Sequence, residues 1–301
     1  MTSLDSLIGS GLITADVPLG PFTTYKSGGP ARYLAEVPDA GALDDLVASG
    51  VIADMPVLVL GRGSNLVVSD TGFDGLVIRL GQSFGGVEVD GTEVRAGGAA
   101  PLAQVARTSV EAGLTGLEFF IGVPGSVGGA VRQNAGCFGT ETRDRLIEAS
   151  IVDLRDGIIR RFGPDDLELS YRHSNVTSTR LVLGATFRSV AGDIDTGRAE
   201  LRRITRWRRD NQPGGTFNAG SVFKNPAGAT AGEIIDSLGL KGMRVGDVAV
   251  SEKHANFFVA GSSATSEDIR RLVIAVKDRV FEETGTMLEP EIQFVGFDDE
   301  N

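Results

Sequence analysis

Hydrophobic and polar positions change their period several times along the chain, which predicts strands alternating with helices. Short apolar runs bounded by glycine predict strands at "PVLVLG" (residues 56–61), "GLVIRL" (75–80) and "TEVRAGG" (92–98). Apolar residues at helical intervals predict helices over residues 39–50 and 101–113, and each pattern ends at a glycine suited to a helix C-terminus. This alternation favours an α+β or α/β unit.

The second half of the chain has a different order of elements. A strand-rich stretch runs from residue 146 to 188 and is followed by an arginine-rich helical pattern over about residues 195–209. A long amphipathic helix is predicted over residues 263–285, and the strand "EIQFVGF" (291–297) follows it. We therefore predict a second α+β region near the C-terminus.

The change in pattern near residue 200 indicates a domain boundary. We predict an α+β fold with one domain over residues 1–200, divided into two lobes near residue 70, and a smaller α+β domain over residues 201–301. A chain of 301 residues that is 41% hydrophobic has enough apolar material for more than one core.

Charge and composition narrow the classes of function. The formal net charge of -11 argues against a general nucleic-acid or anionic-membrane surface. The chain lacks a basic leader with an apolar core, and it lacks the roughly 20-residue apolar run of a membrane span, so we expect a cytoplasmic protein. Its single cysteine, Cys137, cannot form an internal disulfide, and His173 and His254 are not spaced as metal ligands, so no metal site is expected.

Two glycine-rich stretches are candidates for binding a nucleotide cofactor. In "LGRGSNLVVSD" (60–70) the backbone N–H groups could surround a phosphate, but Leu66 stands where a Rossmann fingerprint needs its third glycine. In "IGVPGSVGGAVRQNAGCFG" (121–139) the missing β-carbons would let a flat ring or a diphosphate approach the backbone. Each stretch could instead be a turn or a tight packing contact, although two of them in one domain make packing alone a weaker explanation.

Polar residues in three further motifs could carry chemistry. In "NAGSVFKNP" (218–226), Ser221 lies between a flexible glycine and an apolar pair that favours packed, extended chain, so we expect its hydroxyl to be held in place. In "LELSYRHSN" (167–175), Arg172 has no evident local partner and could bind a carboxylate through two hydrogen bonds. In "LEPEIQFVG" (288–296), strand alternation leaves Glu291 free to face a cleft.

The sequence resembles the UDP-N-acetylenolpyruvoylglucosamine reductase family, flavoenzymes of peptidoglycan precursor synthesis. The resemblance rests on six motifs in the family's order: "LGRGSNLVVSD", "IGVPGSVGGAVRQNAGCFG", "SYRHS", "NAGSVFKNP", "SEKHANF" and "LEPEIQFVG". It implies a two-lobed FAD-binding domain of the vanillyl-alcohol-oxidase-like type, followed by a substrate domain. The implied reaction is the NADPH-dependent reduction of an enolpyruvyl UDP-sugar to UDP-N-acetylmuramate.

The resemblance also implies roles for individual residues. Ser221 would be the proton donor, and Arg172 and Glu291 would be its partners around the substrate carboxylate. Candidates for contacting the UDP-sugar are Tyr171, Lys224, Asn225, Arg208 and His254. Candidates for contacting FAD are Gly61, Arg62, Gly63, Ser64, Asn65, Gly122, Pro124, Gly125, Ser126, Gly128, Gly129, Asn134, Ala135 and Gly136.

The chain departs from the family pattern at two positions and matches its shorter form. Asn211 stands where many relatives have lysine, and Cys137 replaces an alanine that is common at its position. We expect Cys137 to be a small buried residue. No tyrosine occurs between Arg172 and Ser221, so the chain resembles the form without the inserted tyrosine loop.

Two other functions stay open, and so does the oligomeric state. One is a flavin-dependent oxidase of an alcohol or a sugar, and the other is a catalytically silent flavin or nucleotide-sugar binding protein. Neither histidine lies in a glycine-rich stretch, which argues against a flavin tethered through histidine but not against oxidation.

Overall fold

The computed structural model describes residues 3–297 and has mixed helix and strand content. Its α-helices are α1 (Leu4–Gly9), α2 (Ala40–Ala48), α3 (Leu102–Glu111), α4 (Val127–Gln133), α5 (Thr142–Arg145), α6 (Ile194–Asn211), α7 (Ala231–Ser237) and α8 (Ser266–Thr284). Its strands are β1 (Ile13–Pro18), β2 (Pro30–Val37), β3 (Val57–Val59), β4 (Leu66–Val68), β5 (Phe73–Leu80), β6 (Val87–Asp90), β7 (Glu93–Gly97), β8 (Leu114–Thr115), β9 (Gly136–Cys137), β10 (Thr140–Glu141), β11 (Leu146–Asp153), β12 (Ile159–Phe162), β13 (Arg180–Arg188), β14 (Val190–Ala191), β15 (Arg244–Val245), β16 (Val248–Val250), β17 (Phe258–Ala260) and β18 (Gln293–Val295). The predicted α+β class is confirmed.

The chain divides into two compact units that do not follow a single boundary. The first unit contains the described residues up to Ala15, together with Tyr33–Gly61 and Gly75–Trp207. The second contains Asp16–Arg32, Arg62–Asp74 and the described residues from Arg208 onward. The division after residue 207 lies close to the one predicted near residue 200. The two short segments from the first half of the chain that join the second unit were not foreseen.

In the first unit, a five-stranded sheet with the order β12-β11-β13-β7-β6 carries the larger core. Helix α3 buries Leu102, Val105 and Ala106 in this core, and Phe120 packs edge-on against Phe187 of β13 with ring centroids 5.2 Å apart. A second core forms where α2 meets the sheet of order β1-β2-β5-β3. These cores fix the positions of α4 and of the loops around it.

In the second unit, α8 supplies one face of the core. The buried residues of this face are Ile269, Leu272, Val273, Val276 and Val280. Thr265 accepts a hydrogen bond from the Asp268 amide at the N-terminus of α8, and Gly285 ends the helix with φ of 70°. The core also includes the three-stranded sheet β15-β16-β17 and the parallel pair β4 and β18.

Among residues 3–297, no helix is suited to crossing a membrane and no group of side chains is suited to holding a metal ion. None of the helices between residues 3 and 297 combines the length and the apolarity that crossing a membrane requires. In the same part of the chain, no three histidine, cysteine, aspartate or glutamate side chains are grouped so that they could hold a metal ion.

Candidate active site

Ser221 begins a short extended segment, residues 221–224, which we call the Ser221 segment. The Val222 amide donates to the Asn256 carbonyl at 2.8 Å. The buried side chain of Asn256 completes this contact, because its Oδ1 accepts from the Phe223 amide at 2.9 Å and its Nδ2 donates to the Phe223 carbonyl at 2.8 Å. Val222 and Phe223 are themselves buried in the core of the second unit. One edge of the segment is therefore fixed by hydrogen bonds and by packing.

The other edge of the Ser221 segment pairs with the chain that leads into β18. The Glu291 amide donates to the Val222 carbonyl at 2.7 Å, and the Lys224 amide donates to the Glu289 carbonyl at 2.8 Å. The structure thus brings Glu291 next to the residue that follows Ser221. Glu291 lies two residues before β18 and is half-buried. Its neighbour Ile292 is buried, as the predicted alternation requires.

The Ser221 hydroxyl is placed differently from the expectation. The structure gives it no hydrogen-bond partner among residues 3–297, so the backbone is fixed and the hydroxyl is not. Gly220 adopts φ of 77°, and no described heavy atom lies within 4 Å of the position that a β-carbon would take there. A half-buried hydroxyl beside open space can donate to a bound molecule.

The first glycine-rich stretch reaches the same region through Asn65. Its Nδ2 donates to the Glu291 carbonyl at 3.0 Å, and its carbonyl accepts from the Gln293 amide at 2.9 Å. Gly63 has φ of 60°, and a β-carbon there would overlap the Phe22 carbonyl. Gly63 is therefore required by packing, which leaves the exposed Arg62 and the half-buried Ser64 as the more accessible candidates of this stretch.

Two of the predicted substrate-binding residues already have partners within the second unit. The Lys224 ammonium pairs with the Glu289 carboxylate at 2.5 Å, and the Lys224 side chain is 22% exposed. Asn225 is exposed, and its Oδ1 accepts from the Ala231 amide at 3.0 Å, at the start of α7. A phosphate that binds here must compete with Glu289 for Lys224.

His254 and Arg208 complete the predicted set in the second unit. His254 is half-buried, and its Nδ1 accepts from the Asn256 amide at 3.3 Å. Burial, assisted by the positive charge of Lys241, lowers the pKa of His254 below its ordinary 6.5, so the imidazole is neutral at neutral pH. Arg208 is half-buried near the end of α6, and its Nε donates to the Gln212 side chain at 2.9 Å.

In the first unit, a tight turn presents Tyr171 and Arg172. The backbones of Ser170 and His173 exchange hydrogen bonds of 3.2 and 3.0 Å, which places the two residues between them at the tip. Arg172 has φ of 53°, an uncommon conformation for a residue with a β-carbon, and Tyr171 is 44% exposed. Left-handed backbone at a non-glycine residue is frequent in functional sites.

Arg172, for which the local sequence showed no evident partner, contacts the second glycine-rich stretch and Glu141, which are distant in sequence. Its guanidinium donates to the Gly136 carbonyl at 3.0 Å and lies 3.6 Å from the Glu141 carboxylate. Glu141 also accepts from the Asn134 side chain at 2.8 Å, and Asn134 is fully buried at the left-handed end of α4. The Asn134 amide is thus occupied by the fold, and Glu141 helps to orient Arg172.

Packing alone requires several glycines of the second stretch. A β-carbon on Gly122 would lie 2.7 Å from the Cys137 sulfur, and one on Gly128 would lie 3.2 Å from the Gly98 carbonyl. A β-carbon on Gly136 would overlap the backbone of Thr140 in the β9–β10 hairpin. Cys137 is half-buried and its thiol donates to a backbone carbonyl at 3.1 Å, in keeping with a small packed residue.

Gly61 and Gly129 are exposed glycines of the first unit. A β-carbon on Gly61 would lie 2.8 Å from Ser126 Oγ, and one on Gly129 would have only that same oxygen within 4 Å, at 3.7 Å. The Ser126 side chain is buried and makes no capping hydrogen bond to α4. Pro124 and Gly125 lie just before Ser126, and Ala135 lies beyond α4. Gly129 is therefore a position where a flat ring or a phosphate could approach the backbone.

Sequence reasoning missed residues that hold the candidate side chains within each unit. Asn256 holds the Ser221 segment, Glu141 holds Arg172, and the fully buried Tyr25 packs in the core with Val222. Asn256 stands between apolar residues in "SEKHANF", and a polar side chain in such a run is a signal of a buried hydrogen-bond role. Glu141 and Tyr25 carry no comparable signal.

Comparison with protein families gives two matches. Residues 212–295 match the C-terminal domain of UDP-N-acetylenolpyruvoylglucosamine reductase, and residues 31–163 match an FAD binding domain. The two matches together cover more than half of the chain.

Individual relatives match along nearly the whole chain. UDP-N-acetylenolpyruvoylglucosamine reductase of Azorhizobium caulinodans is 42% identical over 95% of this chain and 92% of its own. The Sphingopyxis alaskensis protein of the same name is 42% identical over 95% of each chain.

Solved structures agree with these matches. The crystal structure of UDP-N-acetylenolpyruvylglucosamine reductase from Thermus caldophilus is similar with a TM-score of 0.80 and 33% identity, over 94% of this chain and 98% of that one. A Phl p 4 variant described as a glucose oxidase is similar with a TM-score of 0.50 and 13% identity, over 95% of this chain and 60% of that one. The latter similarity concerns the fold alone.

Proposed function

The chain belongs to the UDP-N-acetylenolpyruvoylglucosamine reductase family of FAD-dependent oxidoreductases, and we propose that it reduces UDP-N-acetylglucosamine enolpyruvate to UDP-N-acetylmuramate with electrons from NADPH. The observation that carries this proposal is the Ser221 segment. Its backbone is held on both edges while its hydroxyl has no hydrogen-bond partner among residues 3–297, and Glu291 pairs with the next residue. We propose that the reaction serves peptidoglycan precursor synthesis in the cytoplasm.

The chemistry of the substrate defines what the chain must do. The enolpyruvyl group is an unsaturated carboxylate, and hydride addition to its β-carbon leaves negative charge on the α-carbon and the carboxylate. When bound, FAD would supply this hydride, and NADPH would supply the electrons that reduce the flavin. The protein must therefore bind the carboxylate and deliver one proton to the α-carbon.

Ser221 is the proposed proton donor. A hydroxyl is a weak acid in water, but the α-carbon that receives the proton is a far stronger base, so position matters more than a matched pKa. The hydrogen bonds of Asn256 and Glu291 to the segment fix that position. Glu291 is the proposed partner that either polarises the substrate carboxylate or returns a proton to the serine oxygen.

Arg172 is the proposed ligand of the substrate carboxylate. Its planar guanidinium can form two parallel hydrogen bonds to a carboxylate and can stabilise the charge that develops there. The Gly136 carbonyl accepts from Nη2 of this guanidinium and the Glu141 carboxylate lies 3.6 Å from its Nη1, so both contacts orient the group. Lysine at this position would keep the charge but lose the fork.

FAD would be held by the small residues of the two glycine-rich stretches. In the first unit these are the exposed Gly61 and Gly129 and the neighbouring Ser126. In the second unit the exposed Arg62 and the half-buried Ser64 are the accessible candidates. Lys224, Asn225, Arg208, His254 and Tyr171 are proposed contacts of the UDP-sugar.

Stopped-flow absorbance of the purified holoprotein tests the proposed function. The protein is reduced with NADPH in the absence of oxygen and is then mixed with UDP-N-acetylglucosamine enolpyruvate. The absorbance of the flavin band at about 450 nm is followed. Rapid return of the oxidised band supports the proposal. If the band returns only when oxygen is admitted, the protein is an oxidase, and if no flavin binds, the assignment fails at its first step.

A further inference from the structure

Arg132, in the last turn of α4, has a half-buried side chain for which the structure provides no counter-charge. Among residues 3–297, its guanidinium has neither a hydrogen-bond partner nor an ion-pair partner. Burial lowers the pKa of this guanidinium below its ordinary value. Only its backbone is tied, because the Arg132 carbonyl accepts from Ser174 Oγ at 2.6 Å.

Arg132 follows the exposed Gly129 by three residues on α4. Residues three and four positions apart share a helix face, so Arg132 is expected to share one with Gly129. Gly128 is instead packed, because a β-carbon there would lie 3.2 Å from the Gly98 carbonyl. Long side chains on a helix lean toward its N-terminus, so we expect the Arg132 side chain to extend toward Gly129. Gly129 is open, with only Ser126 Oγ within 4 Å of the position of a β-carbon.

Two other arginines of the first unit have hydrogen-bond partners for their guanidinium groups. Arg143 donates to the Leu169 carbonyl at 2.7 Å, and Arg172 contacts the Gly136 carbonyl and Glu141. A cation that is partly removed from water without a partner raises the free energy of the protein. The missing partner of Arg132 is therefore expected to be an anion that arrives with a ligand.

We propose that Arg132 is a nucleotide-binding residue whose guanidinium pairs with the diphosphate of a bound nucleotide. This inference rests on the proposed function, which supplies two nucleotides with that group, FAD and the UDP-sugar. The planar guanidinium fork matches two phosphate oxygens, and such charge-assisted hydrogen bonds are among the stronger ones in proteins. In a chain with a net charge of -11, an anionic ligand requires local positive charge of this kind.

Two binding titrations test the proposal and separate the two nucleotides. The variants are Arg132→Met, which removes the charge, and Arg132→Lys, which keeps it without the fork. The control is Arg107→Met, which removes an exposed arginine on α3. FAD is added to the apoprotein and followed by quenching of flavin fluorescence. UDP is added to the holoprotein and followed by the flavin difference spectrum.

Arg132→Met is expected to raise the Kd of one of the two nucleotides by about tenfold or more, as the loss of a charge-assisted pair implies, and Arg132→Lys by less. A change in FAD affinity identifies the cofactor diphosphate, and a change in UDP affinity identifies that of the substrate. Kd values for both nucleotides within about twofold of the Arg107→Met control overturn the inference. Failure of the wild-type protein to bind either nucleotide instead overturns the proposed function.

Thermal unfolding gives an independent readout. The apoprotein of Arg132→Met is expected to be at least as stable as wild type, because it no longer carries a desolvated charge without a partner. Its gain in Tm on adding the identified nucleotide is expected to be smaller than that of wild type. An apoprotein that is less stable than wild type, with an unchanged gain on ligand binding, would show that Arg132 is structural.

Discussion

The position of Ser221 depends on one buried amide, so Asn256→Ala is the most informative perturbation of the second unit. The substitution removes both hydrogen bonds to Phe223 and leaves the amide and carbonyl of a residue that is 1% exposed without their partners. Each unsatisfied buried group costs about 1–3 kcal/mol, so the free energy of unfolding should fall by about 2–5 kcal/mol. Each kcal/mol lost from the free energy of unfolding lowers the Tm of a domain of this size class by about 2–4 °C, so Tm should fall by roughly 5–20 °C.

The same substitution should affect one half-reaction more than the other. In this variant the Ser221 segment keeps the backbone hydrogen bond from the Val222 amide to residue 256 and its contacts on the Glu291 side, but it loses both hydrogen bonds to Phe223, so the hydroxyl is less well positioned. A misplacement of about 1 Å can slow a reaction by about a hundredfold, whereas in the proposed mechanism flavin reduction by NADPH does not use this hydroxyl. We expect reoxidation by the enolpyruvyl substrate to slow by roughly 10–100-fold, with flavin reduction nearly unchanged, in stopped-flow measurements below the Tm of the variant.

A control of similar instability separates misplacement from loss of stability. Val276 is fully buried in the same core on α8, and Val276→Ala should cost about 2 kcal/mol by creating a cavity. This control should lower Tm and leave both half-reactions close to wild type. If Asn256→Ala keeps wild-type stability and rates, or if Val276→Ala slows substrate reduction equally, the assigned role of Asn256 is wrong.

Three other predictions follow from single side chains. Ser221→Ala should leave FAD binding and flavin reduction intact and abolish most product formation, and turnover equal to that of a Ser262→Ala surface control would remove the serine from the mechanism. Tyr25→Phe should leave stability unchanged or raise it by about 1 kcal/mol in urea unfolding, because the Tyr25 hydroxyl is buried without a partner of normal hydrogen-bond geometry among residues 3–297. A loss of stability would reveal a bond that this geometry does not show. Burial lowers the folded-state pKa of His254, so the unfolded chain binds the extra proton. His254 should thus cost no stability above about pH 6.5, and it should destabilise the protein as the pH falls from there toward its folded-state pKa. His254→Gln should flatten this decline in stability between about pH 7 and pH 5. An unchanged slope of stability against pH would contradict this prediction.

Local patterns were sufficient for the longer helices α2, α3, α6 and α8 and for several strands, but α1, α4, α7, β1 and β2 were not predicted. Helix α8 was predicted from its apolar spacing because its start, its buried face and its terminal glycine are all encoded within a few residues of one another. The composition of the second unit was not predictable in this way. Residues 16–32 and 62–74 join it through contacts distant in sequence, such as that of Gly63 with Phe22, and no local period encodes such contacts.

The glycine-rich stretches show the limit of reading chemistry from composition. A glycine needed for packing and a glycine that faces a ligand have the same sequence signal. The structure separates them, because a β-carbon on Gly63 or Gly136 would overlap backbone atoms, whereas Gly129 is open. The pattern could identify the stretch as a candidate, but only the surroundings of each glycine show which positions a cofactor can approach.

The expectation for Ser221 was wrong in a way that clarifies the proposed chemistry. A serine whose hydroxyl is already hydrogen-bonded to the protein must break that bond before it can donate to a substrate, at a net cost of about 0.5–1.5 kcal/mol. In this chain the fixing is done by the backbone of the segment and by the side chain of Asn256, so the hydroxyl keeps its proton available. In the proposed mechanism, Asn256 thus fixes the position of the segment, and the Ser221 hydroxyl donates the proton. The sequence showed both "NAGSVFKNP" and "SEKHANF" as motifs, but it could not show that Asn256 of the second holds the Ser221 segment of the first, because the two are distant in sequence.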